Sequence, residues 1–98
     1  MGISILSLSF GGHVLILGST SVHVSGVEFI RMGQSGLDAR YPFHWHHSGS
    51  VAGSYLRRSA IHGSYNRCIV VHRTHSALVD ATVCYDVQGH AFMLEDVR

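Results

Sequence analysis

The chain is expected to be all-β: a right-handed parallel β-helix of about four coils, cut from a longer solenoid. Three observations lead there. Its apolar stretches are short and rich in Val and Ile, polar and glycine punctuation recurs between them, and the apolar pattern repeats every twenty-odd residues. No window sustains the i, i+3, i+4 apolar stripe of a helix.

The elements follow in order. His13 to Leu17 reads as a strand closed by Gly18-Ser19-Thr20-Ser21, Val22-His23-Val24 as one closed by Ser25-Gly26, and Val27 to Ile30 as one ending before Gly33. A strand is then expected at Phe43-His44-Trp45-His46, beside the chain's one proline and one tryptophan. Beyond it, residues 54–75 laid on 76–97, a shift of 22, place apolar on apolar at six positions, among them Leu56 on Leu78, Ile61 on Val83 and Val70 on Phe92. Val24 and Phe29 match Leu56 and Ile61 at a shift of 32, and Phe43 and Trp45 match Ile69 and Val71 at 26. The unequal shifts predict loops at residues 33–39 and 48–53. Coils are therefore expected at roughly residues 1–21, 22–53, 54–75 and 76–98. A leucine-rich repeat has a similar period but needs an L-x-x-L-x-L pattern that is missing, and a β-sandwich needs no such register.

Composition narrows the function. Only 13% of the residues are charged, against about 25% in an ordinary domain, so few solvated faces can be built. Seven arginines stand against six acidic residues, which gives no basic field for a nucleic acid. No apolar run reaches the ~20 residues of a membrane span. Residues 3–10 are not expected to be a signal peptide, because they are broken by serines and lack a positive leader. Cys68 and Cys84 each sit in an apolar run and are expected as buried free thiols, with a single disulfide as the alternative.

Three stretches carry a resemblance. Arg40-Tyr41-Pro42-Phe43-His44-Trp45-His46, then Ser64-Tyr65-Asn66-Arg67-Cys68-Ile69-Val70-Val71-His72, then Tyr85-Asp86-Val87-Gln88-Gly89-His90-Ala91-Phe92-Met93-Leu94-Glu95-Asp96, resemble the β-helix segment of G8-domain proteins. That group includes a cell migration-inducing and hyaluronan-binding protein, cell-surface hyaluronidases and fibrocystin-like proteins. The resemblance runs from about residue 22 onward. It implies a solenoid in a large extracellular or cell-surface protein, with adjoining coils or domains as partners and a hyaluronan-like polysaccharide as ligand in some members.

Candidate chemistry lies on the strand at Phe43. Alternate strand residues share a face, so with Phe43 and Trp45 in the core, His44 and His46 point outward together. The shift of 26 stacks His72 beside His46, about 4.8 Å away, with Glu95 and Asp96 following one coil on. Two imidazoles at i and i+2 plus a third from the next coil suit a divalent metal ion, so His44, His46 and His72 are the candidate ligands. A polysaccharide-cleaving hydrolase would instead use His44 or His46 as acid or base and Arg40 as clamp for a substrate carboxylate. The competing reading is a non-catalytic scaffold whose histidines merely form a surface ladder. A cupin also carries His-x-His, but its glutamate is missing after His46, and a His-x-His hydrolase barrel needs a longer chain. His13, His23, His62 and His75 read as surface or turn residues. Trp45 reads as core, Arg57-Arg58 as a solvated edge, and His90 as a turn residue whose ring ties down a neighbouring coil.

Overall fold

The computed structural model describes residues 9–18 and 21–96. The unsuitability of residues 3–10 as a signal peptide, and the start of the first coil, therefore lie largely outside the described residues. Ten strands follow one another: β1 (Val14–Leu17), β2 (His23–Ser25), β3 (Glu28–Ile30), β4 (Phe43–Ser50), β5 (Tyr55–Arg57), β6 (Ala60–Ser64), β7 (Ile69–His75), β8 (Leu78–Asp80), β9 (Val83–Val87) and β10 (Phe92–Glu95). They fall into three parallel sheets ordered β1-β4-β7-β10, β2-β5-β8 and β3-β6-β9. Each strand thus pairs with the one three places on, which makes a parallel β-solenoid of three turns with β10 opening a fourth level. Among the described residues there is no helix, and none long and apolar enough to cross a membrane.

Two of the three expected registers hold. Val24 pairs with Leu56 and Phe29 with Ile61 at a shift of 32, and Phe43 with Ile69 and Trp45 with Val71 at 26. The shift of 22 is corrected to 23: Leu56 pairs with Val79, Ile61 with Cys84 and Ile69 with Phe92. Because a strand alternates faces, an error of one residue inverts every side chain. In the true register Phe92 and Leu94 continue the inner columns of Phe43-Ile69 and Trp45-Val71.

The core follows from those columns. Ile16, Phe29, Phe43, Trp45, Leu56, Ile61, Ile69 and Val71 form one buried cluster. Trp45 is fully enclosed and packs edge-on against Phe43 at 4.9 Å, so it is core as expected. Cys68 and Cys84 are joined in a disulfide, which overturns the expectation of free thiols. The 23-residue register turns Cys84 inward opposite Ile61, where the buried Cys68 sulfur meets it.

Corners are made by backbone sign and by hydroxyls. Gly18, His47, Arg73 and Asp96 all have positive φ, and so do Gly26, Arg58 and Ala81, and Arg31, Gly63 and Asp86. Each set occupies one corner at successive levels. Serine and threonine hydroxyls then bond between coils. Ser54 Oγ accepts from the Val22 N–H at 3.1 Å and Ser59 Oγ from that of Val27 at 3.2 Å, while Thr74 Oγ1 accepts from the Ser48 N–H at 3.1 Å. His90 also links coils, but through its carbonyl, which accepts from the Cys68 N–H at 3.0 Å, while its ring is exposed. That corrects the expected ring contact.

Candidate functional site

The site begins with the alternation of β4. Phe43 and Trp45 enter the core, so His44 and His46 occupy the opposite face, in columns with Leu15 and Val70 and with Leu17 and His72. The bulge after His46 and the positive φ of His47 swing the next imidazole back. The His47 ring stacks on His46 at 4.2 Å and meets His72 edge-on at 4.4 Å.

A loop between β3 and β4 roofs this face. Asn66 holds it from the next coil, donating through Nδ2 to the carbonyls of Gln34 and Leu37, both at 2.8 Å, while its Oδ1 accepts from the Arg67 N–H at 2.8 Å. The loop brings the Tyr41 ring to 4.9 Å from His44. Beneath it lies a cavity of about 360 Å³, walled by Asp38, Ala39, Tyr41, His44, His46, Arg67, His72 and Glu95.

His44 is only 2% exposed, and neither ring nitrogen has a hydrogen-bond partner of normal geometry. His46 Nδ1 is likewise buried and unpartnered. Leaving such groups unpaired costs about 1–3 kcal/mol each. Burial, reinforced by the neighbouring His46 charge, pushes His44 down to about 4, and the Ala39 carbonyl offsets this only in part. Burial and His47 also lower His46. Both imidazoles are therefore neutral near pH 7, the form that accepts a proton or binds a metal.

The donor nitrogens of His44, His46 and His72 all come within 4.8 Å of one another, so the structure brings the three predicted ligands together. Arg40 is exposed and does not line the cavity. The arginine in the wall is Arg67, whose Nη1 donates to Glu95 Oε1 at 2.7 Å and to the Tyr41 hydroxyl at 3.3 Å. Asp96 stands outside, its Oδ2 3.9 Å from His72 Nε2 and 3.2 Å from Arg73 Nε. Sequence reasoning about the site missed Tyr41, Arg67 and Asp38, although Arg67 lies 26 positions after Tyr41, the same shift that pairs β4 with β7. Of the four histidines expected on the surface, His75 is half-buried at the end of β7, paired with Ser50, and the other three fall into two groups. His23 stacks on Tyr55 at 4.8 Å and His62 on Tyr85 at 4.7 Å, with Glu28 2.7 Å from His62. His13 lies close enough to His44 to lower it, as a minor contributor.

A family model described as CEMIP beta-helix matches residues 9–98. The chain is 43% identical over 90 residues to a G8 domain-containing protein of Dictyostelium discoideum, covering 92% of this chain and 6% of that one. It is 45% identical over 96 residues to a protein of Danio rerio named cell surface hyaluronidase, covering 90% of this chain and 7% of the other. With mouse fibrocystin-L the identity is 43% over 94 residues, covering 89% and 2%. The chain thus spans less than a tenth of the length of these relatives. No solved structure matches it.

Proposed function

The chain belongs to the CEMIP beta-helix family, and from that premise we propose that it is a carbohydrate-directed module of an extracellular or cell-surface protein. Its ligand is an acidic, hyaluronan-like polysaccharide, and one acidic sugar enters the cavity beneath the loop. The observation that carries this reading is the convergence of Arg67, Tyr41 and neutral imidazoles on one open cavity. Both Arg67 contacts use Nη1, which leaves Nε and Nη2 for the forked recognition of a carboxylate. In this role Arg67 replaces Arg40. Tyr41 supplies a ring edge and a hydroxyl at the cavity wall. The relatives named cell surface hyaluronidase agree in ligand class and compartment, and the Cys68–Cys84 disulfide suits an oxidising environment.

If the module is catalytic, it is a polysaccharide-cleaving hydrolase. His46 and His72 are then the groups able to move a proton, since both line the cavity and are less enclosed than His44. His44, His46 and His72 are also the residues that would hold a divalent metal ion, which would supply a Lewis acid or polarise a bound oxygen. The second reading, a non-catalytic structural or adhesive scaffold, is favoured by the ring-on-ring packing of His44, His46, His47 and His72, which gives the histidines mutual contacts without any ligand.

The test is calorimetric titration with hyaluronan oligosaccharides, followed by a depolymerisation assay, on the native chain, Arg67→Met and His46→Ala. Saturable binding weakened by Arg67→Met is expected. Absence of binding to hyaluronan and to other uronate-containing glycans would leave the scaffold reading alone.

A further inference from the structure

We propose that His44, His46 and His72 bind one divalent transition-metal ion of the zinc class, and that Arg67 keeps its fourth position open by holding Glu95 aside. The inference rests on the same cavity as the function proposed above, but not on what sugar enters it.

The donor set selects the ion. Three imidazole nitrogens suit zinc, cobalt, nickel or copper, whereas calcium and magnesium take oxygen ligands. Zinc–nitrogen bonds of about 2.0–2.1 Å place tetrahedral donors about 3.3 Å apart. The observed spread of up to 4.8 Å means that binding draws the donors together by up to about 1.5 Å. His44 is nine-tenths buried and more, with neither nitrogen in a hydrogen bond of normal geometry, and His46 Nδ1 is buried and unpartnered beside it. Each neutral imidazole carries one N–H and one lone pair, and a metal ion would take up the lone pair. Metal-bound imidazoles usually have a carboxylate outside them, and Asp96 is placed to be that group for His72, steadied by Arg73.

Glu95 decides whether the site is open or closed. It pairs with His72 in the β7-β10 ladder, in one column with His46, and lines the same cavity. Its carboxylate is turned to Arg67 at 2.7 Å and is not among the groups that converge with the three nitrogens. A structural zinc site carries four protein ligands, whereas a reactive one keeps a position for water or substrate. The ion pair enforces the second arrangement.

The experiment titrates chelator-treated chain with cobalt(II) and zinc chloride, and with calcium as competitor, checking each variant's fold by circular dichroism. One cobalt per chain with visible bands of low coordination number is expected. Zinc displaces it and calcium does not. His46→Ala and His72→Ala weaken it by about 100-fold or more, while His23→Ala, on the β2-β5-β8 sheet, leaves it within about threefold. Arg67→Met tightens binding by about tenfold, and Glu95→Gln in that background removes the gain. Absence of saturable binding, survival of binding in both histidine variants, or competition by calcium would overturn the metal site. An unchanged affinity in Arg67→Met would overturn the open position. A chain that takes up no metal in these titrations yet still binds the sugar would sink this inference while leaving the carbohydrate reading intact.

Discussion

Arg67 and Glu95 form an ion pair of 2.7 Å between the turn before β7 and the end of β10. The same guanidinium lies 5.3 Å from the ring of Tyr41, one level earlier. Three coils are thereby joined on the wall of the cavity. Gly89 makes room for this, since a Cβ there would sit 2.9 Å from the Arg67 backbone nitrogen and Cγ.

The pair is about a third exposed on both sides, so its contribution to stability is at most about 1 kcal/mol. Its charge matters more to a ligand. Arg67→Met is expected to shift the urea midpoint little, yet to weaken acidic oligosaccharide binding by about tenfold or more. Parallel urea melts and calorimetry check this. A large stability loss with unchanged sugar affinity would assign Arg67 to the fold alone.

His44 makes the fold sensitive to acid. Its pKa is about 4 in the folded chain against 6.5 ordinarily, so between these values the unfolded chain holds the proton more often. Stability is therefore complete above about pH 6.5, falls as the pH drops toward 4, and levels off below that. The total loss is on the order of 3 kcal/mol. His46, also lowered, acts in the same direction. Urea melts at pH 7 and pH 4.5 should show the drop in the native chain and a smaller one in His44→Gln. Equal drops in the two proteins would refute the assignment.

Much of the architecture was legible because rare residues mark it. Phe43 and Trp45 align with Ile69 and Val71 in one register only, and that register also placed His72 beside His46. The later coil misled by one residue because Ile69-Val70-Val71 is apolar throughout, and such a run carries no parity from which to tell inside from outside. The corners were hidden for a related reason: Arg31, Arg58, Arg73 and Ala81 take positive φ at places where glycine would have announced a turn. Tyr41 and Arg67 escaped notice as site residues because the roof over His44 is built by loop contacts from another coil, which no local pattern encodes. The disulfide could not be decided from two cysteines in apolar runs until the register turned Cys84 inward.

That disulfide closes a loop with a sequence separation of 16, and it fastens the turn before β7 to β9. Restricting the unfolded chain by a loop of this size is worth about 3 kcal/mol. Reduction, or Cys84→Ala, is expected to lower stability by about 2–5 kcal/mol, read from melts with and without reductant. Indistinguishable melts would show that the bridge contributes nothing.

Asn66 links the fold to the site most directly. Its side chain donates to two carbonyls of the loop and accepts from the Arg67 N–H, so one residue sets both the roof over His44 and the start of the segment that carries the Arg67 guanidinium. Asn66→Ala removes all three bonds and leaves the Gln34 and Leu37 carbonyls without that partner, at a cost of about 1–3 kcal/mol. The consequence for His44 is separable from that loss. With the loop released, water reaches the ring, the main cause of its lowered pKa disappears, and the value moves up toward 6.5. Histidine titration by NMR should register this rise in Asn66→Ala, together with faster amide exchange across residues 34–40. Asn66→Asp keeps the acceptor to Arg67 but loses both donors, so it should release the loop nearly as fully. A His44 pKa that stays near 4 in both variants would mean that the strand itself, and not the Asn66-tethered loop, keeps the imidazole dry.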